Sequence, residues 1–267
     1  MRPTILSLAA GRTEGLRNCV VDSYIVHVLT LASLSMLGFL AGWPPLTADS
    51  ITERLSYTAE WRLIHAGNVV LEAGPSSAVL KVESAGLVST LYKIDDNYRV
   101  QFDSPFCATS SFMEAKEGSR HRETSVTFDR DRGHASLIER DLNKNTIVSK
   151  GDPQIPNCVH EVITALMQLR RMNVAVGQSV QLPISDGRKS AAVKVEAQER
   201  EQVKTPAGTF NAVRYEVNLL NGVVYSRKGR AFVWLTDDSR KLPVQFRLRM
   251  NFPLGTVTLE LEKEEHP

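Results

Sequence analysis

The chain offers little reactive chemistry. It has three cysteines in 267 residues, and no two form a Cys-x-x-Cys pair, so thioredoxin-like redox chemistry and zinc-ribbon sites have no ligand pattern to rest on. It also has no Gly-x-Ser-x-Gly elbow, no glycine-rich phosphate loop and no His-Glu-x-x-His helix. Nothing in it calls for a cofactor or a metal ion. Charge of one sign is missing too: beyond Ala48 there are 29 basic against 28 acidic residues. That balance leaves no electrostatic footprint for nucleic acid, which needs a clustered basic excess. Low-complexity tracts and internal repeats are absent.

The first 48 residues read as a targeting segment. Arg2, Arg12 and Arg17 precede an apolar run from Tyr24 to Gly42, and Pro44, Pro45 and Ala48 follow it. A positive start, an apolar middle and small residues at the exit describe a secretory signal peptide. The run also approaches the roughly 20 residues that span a bilayer. An uncleaved anchor in the inner membrane is therefore the alternative, and membrane contact is expected only through this segment. No cysteine closes the run, which argues against a lipoprotein anchor. Either way the remainder, 49–267, is expected outside the cytoplasm, in the periplasm or cell envelope, as one domain. In that oxidising setting Cys107 and Cys158, an even pair, are expected to form a disulfide.

Period-two alternation dominates the remainder. Leu55, Tyr57, Ala59 and Trp61 alternate with Ser56, Thr58 and Glu60, and the same pattern recurs around Val100, Val195, Tyr215, Phe246 and Leu259. A strand sends the two sets to opposite faces, one dry and one wet, and a wet face on each strand favours an antiparallel sheet. Turn residues separate the runs at short intervals, as in Ala66-Gly67-Asn68, Ser185-Asp186-Gly187 and Pro206-Ala207-Gly208. One segment departs from this: Val159, Val162, Ile163, Leu166 and Leu169 recur at helical spacing. The expectation is an all-β fold, a curved antiparallel sheet forming a partial barrel or sandwich. One substantial helix over 158–171, capped by Asn157, would pack against it.

Three stretches carry a resemblance. Leu55-Ser-Tyr-Thr-Ala-Glu-Trp61 with Ala66-Gly67, Thr205-Pro-Ala-Gly-Thr-Phe210 followed by Ala212-Val213-Arg214, and Val233-Trp-Leu-Thr-Asp-Asp-Ser-Arg-Lys-Leu-Pro-Val244 stand in one order along the chain. Together they resemble a bacterial envelope family, domain of unknown function 3108. The helix ending Leu169-Arg170 sits where that family places an aromatic before Leu-Arg, and here Met167-Gln168 replace it. The resemblance implies an exported envelope protein and no particular activity. Each stretch also suits a tight turn on its own terms, so a fold-specifying role explains it without catalysis.

Candidate site residues fall into three groups. His121 and Glu123 share a strand face, as metal ligands or an acid–base pair could. No third ligand accompanies them. If Asp129 pairs with His134, then Glu123 faces Arg140 and Arg122 faces Asp141, and ion pairing accounts for the same residues. Trp61, Tyr57, Phe232 and Trp234 are large inward candidates for core or for an apolar pocket, with Trp234 expected opposite Val244, Phe246 and Leu248. Finally, basic residues gather late in the chain, Arg247 and Arg249 among them, where they could share one face and meet an anionic headgroup or glycan. The reading is therefore a non-enzymatic envelope protein binding a hydrophobic or anionic component through Trp61, Phe232, Trp234, Arg247 and Arg249. The alternatives are an envelope glycan or lipid hydrolase or lyase, and an assembly partner of an outer-membrane complex.

Overall fold

The computed structural model describes residues 51–267 apart from 104 and 252–254. The expected signal or anchor lies outside the described residues. Eight strands come first: β1 (Glu53–Trp61), β2 (Ile64–Ala73), β3 (Ser77–Ser84), β4 (Ile94–Asp103), β5 (Cys107–Glu117), β6 (Arg120–Asp129), β7 (His134–Asp141) and β8 (Thr146–Gly151). A short helix, α1 (Gly86–Leu91), joins β3 to β4, and a longer one, α2 (Val162–Arg171), follows β8. Six strands complete the chain: β9 (Ser179–Ser185), β10 (Ser190–Thr205), β11 (Gly208–Val217), β12 (Gly229–Thr236), β13 (Pro243–Met250) and β14 (Thr256–Glu265). No helix among the described residues is long and apolar enough to cross a membrane.

All fourteen strands form one open antiparallel sheet, ordered β8-β7-β6-β5-β4-β3-β2-β1-β14-β13-β12-β11-β10-β9. The chain enters at the middle, meanders out to the β8 edge, crosses through α2 to the β9 edge, and meanders back until β14 pairs with β1. Short turns explain the meander, because two-to-five-residue loops connect only antiparallel neighbours. The register of β6 with β7 matches expectation: Asp129 opposes His134, Glu123 opposes Arg140 and Arg122 opposes Asp141.

The sheet curls until its edges approach. A Cβ on Gly151, at the end of β8, would stand 2.2 Å from the carbonyl oxygen of Gly187 in the β9–β10 turn, so only glycine permits this backbone contact. Arg188 of that turn pairs with Glu139 of β7. The crossing segment laces the gap. Val159 accepts from the Ala108 N–H of β5, while His160 donates to the Pro183 carbonyl and accepts from Ser185 N–H on β9. Cys158 is disulfide-bonded to Cys107 at the start of β5.

This lacing corrects the expected start of the helix. Cys158 lies in a bend, held by its disulfide, and Val159 and His160 stay out of the helix because their backbone groups are already bonded to β5 and β9. Helix α2 starts four residues later, and Glu161, rather than Asn157, caps it. The Glu161 carboxylate accepts from Thr164 N–H at 2.6 Å while the Thr164 hydroxyl accepts from Glu161 N–H at 2.9 Å, a capping box with its usual residue types exchanged. The helix packs on the concave face. Ile163 and Met167 join a core with Leu55, Tyr57 and Leu261, and Ala165 and Leu169 join a second with Val193, Val233 and Leu235. Each fully buried aliphatic contributes about 1.5–3 kcal/mol. A third, smaller core under β6 and β7 includes Val126, Leu137 and Val159.

Candidate functional site

Strand β12 is buried on both faces. Ala231, Val233 and Leu235 point to the concave side, where Val233 and Leu235 pack with α2 residues Ala165 and Leu169; Phe232 and Trp234 point the other way. Register fixes their neighbours: Phe232 lies opposite Arg247 and Trp234 opposite Gln245 on β13, while β11 places Glu216 and Arg214 opposite the same two rings. Trp234 is therefore not opposite Val244, Phe246 and Leu248. A bulge between Trp234 and Leu235 inserts one residue into β13 and reverses the alternation, so Phe246 turns inward against Tyr57. Phe232 and Trp234 are buried, as expected of large aromatics, but on the convex face.

What buries them is a layer of arginines. The guanidinium of Arg247 stands 5.0 Å from the Trp234 ring centre, and those of Arg230, Arg249 and Arg214 stand 4.9, 5.5 and 5.7 Å from Phe232. The outer half of the β10–β11 hairpin, bent at a bulge between Ala197 and Glu199, adds Val203 and brings Glu201 to accept the Trp234 indole N–H at 2.6 Å. Two of the arginines are neutralised. Arg230 makes two 2.7 Å bonds to Glu216, whose carboxyl is held below its ordinary range by that hydrogen bond, and Arg214 meets Glu199 at 2.7 Å. The other two are not. Arg247 has one long contact to Gln245 at 3.4 Å, and neither Arg247 nor Arg249 has a carboxylate partner among the described residues. A shallow hollow of about 60 Å³ opens between Arg214, Arg230, Arg249 and the two rings.

A larger cleft, about 780 Å³, lies at one end of the sheet, between the C-terminal end of α2, the β12–β13 turn and the start of β1. Phe106 and Met167 line it, and the third motif stretch converges on it through Asp237, Asp238, Arg240 and Lys241. Its charges are satisfied by one another. Arg170 donates to both Glu53 oxygens at 2.6 and 2.7 Å and to the Lys241 carbonyl at 3.1 Å. Lys241 donates to the carbonyl of Met172, the C-cap of α2, and bonds Asn173 at 2.7 Å. Asp238 collects the Thr236 hydroxyl and the N–H groups of Arg240 and Lys241, closing the turn. These bonds lock α2 to two strands and use the motif residues as structural ties.

The remaining candidates lie elsewhere. Trp61 ends β1, away from the arginine layer, with Arg62 4.9 Å over its ring. His121 bonds Glu114 across β5 and β6 at 2.8 Å, and this bond, with one from Lys116, lowers the Glu114 pKa. Glu123 sits between Glu114 and Arg140 in the register. His121 is thus taken up by an ion pair with Glu114, Arg122 pairs with Glu139 and not with Asp141 opposite it, and no group of three or more metal-ligating side chains occurs among the described residues. Arg214 and Glu201 are not among the site candidates that the sequence suggests. Arg214 alternates with Val213 and Tyr215 and so was assignable to the wet face of β11, but its position beside Trp234 needed the strand order.

Residues 56–262 match the model of a family described as protein of unknown function, DUF3108. The chain belongs to this family. No curated protein matches it. Among solved structures, the DUF3108 chain is similar to a β-barrel-like protein of domain of unknown function DUF1849 from Brucella abortus. Identity is 10%, the TM-score 0.53, and the match covers 82% of this chain and 99% of that one. A DUF1089 family protein from Pseudomonas aeruginosa matches at 14% identity and TM-score 0.38, covering 69% and 90%. A Bacteroides fragilis protein, described provisionally as exported and of YmcC-like fold, matches at 11% identity and TM-score 0.30, covering 81% and 97%. The likeness in fold rests on the first of these.

Proposed function

We propose that this DUF3108 chain is a non-enzymatic protein of the periplasm or cell envelope that binds an anionic envelope component on the convex face of β11–β13. The observation that carries this reading is the pair Arg247 and Arg249, two guanidiniums with no carboxylate partner among the described residues, held over Trp234 and Phe232. Stacking on the rings contributes about 0.5–1 kcal/mol at exposed sites and fixes the planes of the guanidiniums. Their N–H groups stay free to form charge-assisted, bidentate bonds to a phosphate or carboxylate. The neutralised neighbours Arg214 and Arg230 keep the rest of the face in place. An anionic partner fits this arrangement better than a hydrophobic one, since the rings are covered by charge.

The test uses the full chain titrated with glycerol phosphate, a headgroup mimic, and with galacturonate, an acidic sugar, followed by thermal unfolding. A ligand at one hundred times its Kd raises stability by about 2.7 kcal/mol. Arg247→Gln with Arg249→Gln should remove that gain, while the unliganded chain loses only the stacking, about 0.5–1 kcal/mol for each ring. Absence of any gain in the wild-type chain with either probe would defeat the proposal. Native mass spectrometry of protein taken from its own envelope would identify the natural ligand.

A further inference from the structure

The two ends of the sheet differ in what they expose. Opposite the cleft, the strand connections form a rim that carries most of the large apolar side chains left in solvent. Leu63 is 93% exposed in the β1–β2 turn, and Leu87 and Leu91, in α1, are 71% and 81% exposed. Ile64 and Tyr92 flank them and are also exposed. The connections pack on their neighbours: Ala85 N–H donates to the Ala66 carbonyl at the start of β2 at 2.8 Å, and the Tyr92 ring lies against Gly118 of the β5–β6 turn. Helix α1 buries none of its residues, so its leucines are not there to fill a core.

The β1–β2 turn is strained in order to present Leu63. Arg62 and Leu63 both have positive φ, 51° and 68°. Two such residues make the tight hairpin turn that Asn-Gly adopts with least strain, and a bulky side chain there is uncommon.

Charge separates the ends as well. The rim connections 62–63, 85–93, 142–145 and 218–228 carry five Lys and Arg and no acid. The β6–β7 and β12–β13 turns at the opposite end carry four basic against three acidic residues. On the rim, Lys93, Lys144, Arg227 and Lys228 are exposed and make no ion pair among the described residues.

We infer that this rim docks on a bilayer surface bearing anionic headgroups. Apolar tips that enter the headgroup layer by about 5–10 Å, ringed by cations, match the chemistry of such a surface. The apolar groups stand on separate protruding tips, and a fluid interface accommodates that relief where a protein partner would need a complementary shape. The inference is independent of the arginine face, and it adds a membrane contact besides any made by the N-terminal segment.

The test uses the full chain with Cys19→Ser, carrying a polarity-sensitive fluorophore on Leu91→Cys at the rim or on Ser239→Cys at the cleft end. It is mixed with vesicles of phosphatidylethanolamine and phosphatidylglycerol, or of phosphatidylcholine alone. The label at position 91 should shift to the blue and be quenched by nitroxide-bearing lipid in the anionic vesicles, and the label at 239 should not. The shift should weaken in high salt. Reversing Lys93, Arg227 and Lys228 to Glu should lower partitioning by at least roughly fivefold for each cation lost. Equal responses at 91 and 239 would mean that the N-terminal segment alone tethers the chain, and would overturn the inference. No response at 91, or a shift that grows with protein concentration without vesicles and so reports a second copy, would overturn it too.

Discussion

Replacing Trp234 tests whether the arginine face is a packed layer or a loose one. Trp234 is 3% exposed, between the Arg247 guanidinium and the outer half of the β10–β11 hairpin. Emptying such a site by Trp234→Ala removes the transfer free energy of the ring and leaves a cavity, usually about 3–5 kcal/mol together. Here the cover is side chain rather than sheet. Arg247 and Glu201 are long and can fold into part of the space, so the lower half of that range is expected, about 3–4 kcal/mol. A stacked cation forfeits about 0.5–1 kcal/mol with its ring, and that share should appear as coupling in a double-mutant cycle with Arg247→Ala. Trp234→Phe keeps a ring under Arg247 and loses the indole donor to Glu201, and should cost about 1.5–3 kcal/mol, the net value of one hydrogen bond to a charged group. Urea unfolding under non-reducing conditions measures all of these, with unchanged m-values showing that the denatured state is unaltered. A cost for Trp234→Ala below about 1 kcal/mol, well under the range for buried aromatics, would refute the packed layer. It would leave Phe232 and Trp234 as open contact residues.

Three further outcomes are expected. Changing both Cys107 and Cys158 to Ser opens a loop of 51 residues' separation and should lower stability by about 4 kcal/mol in the chain-entropy picture, read as a shift in urea midpoint equal to that produced by reductant on the wild type. Arg170→Met strands the Glu53 carboxylate and the Lys241 carbonyl in a site where both ionised side chains are about one-sixth exposed, and should cost about 2–4 kcal/mol; adding Glu53→Gln should restore part of it, and a double variant worse than the single would count against the pairing. Asp96 has its pKa raised from 3.8 to about 6, by burial first and by Glu117 second. An acid held in its neutral form by the fold favours folding at low pH and loses that contribution as pH rises through the folded value. Asp96→Asn should therefore stabilise at pH 7 and not at pH 4, by about 1 kcal/mol once the half-exposed setting is allowed for, and an equal effect at both pH values would contradict the assignment.

The strands were legible because each has a wet face, and alternation survives wherever a hairpin is regular. The β6–β7 pairing was readable from Asp129 and Gly133, since the turn residues set the register. The β12–β13 pairing was not, because a bulge is a single uncounted residue and one residue exchanges the two faces of a strand. That is why Phe232, Trp234, Arg247 and Arg249 could be nominated separately, yet Trp234 was placed against the wrong neighbours. The helix was visible from its apolar spacing, but its start was not. Val159 and His160 obey distant backbone partners on β5 and β9, which no local propensity encodes. The rim left no motif, because exposure of Leu63 and Leu91 is a property of where the connections lie.

The central position of β1 constrains the order in which the molecule can assemble. Tyr57 pairs with Leu261, 204 positions away, and no earlier strand can take the place of β14 beside β1. A chain made from its N-terminal side can form the β1–β8 meander early and β9–β13 afterwards, but these two arrays share no ladder until residue 256 has emerged. Until then β1 and β13 each present an unpaired edge, the kind that recruits other chains. Closing so long a loop is slow, which extends that exposure. Losing the last ten residues would therefore divide the sheet at its centre instead of trimming a margin, and a chaperone that masks strand edges would be of most use to this protein between the appearance of β13 and the arrival of β14.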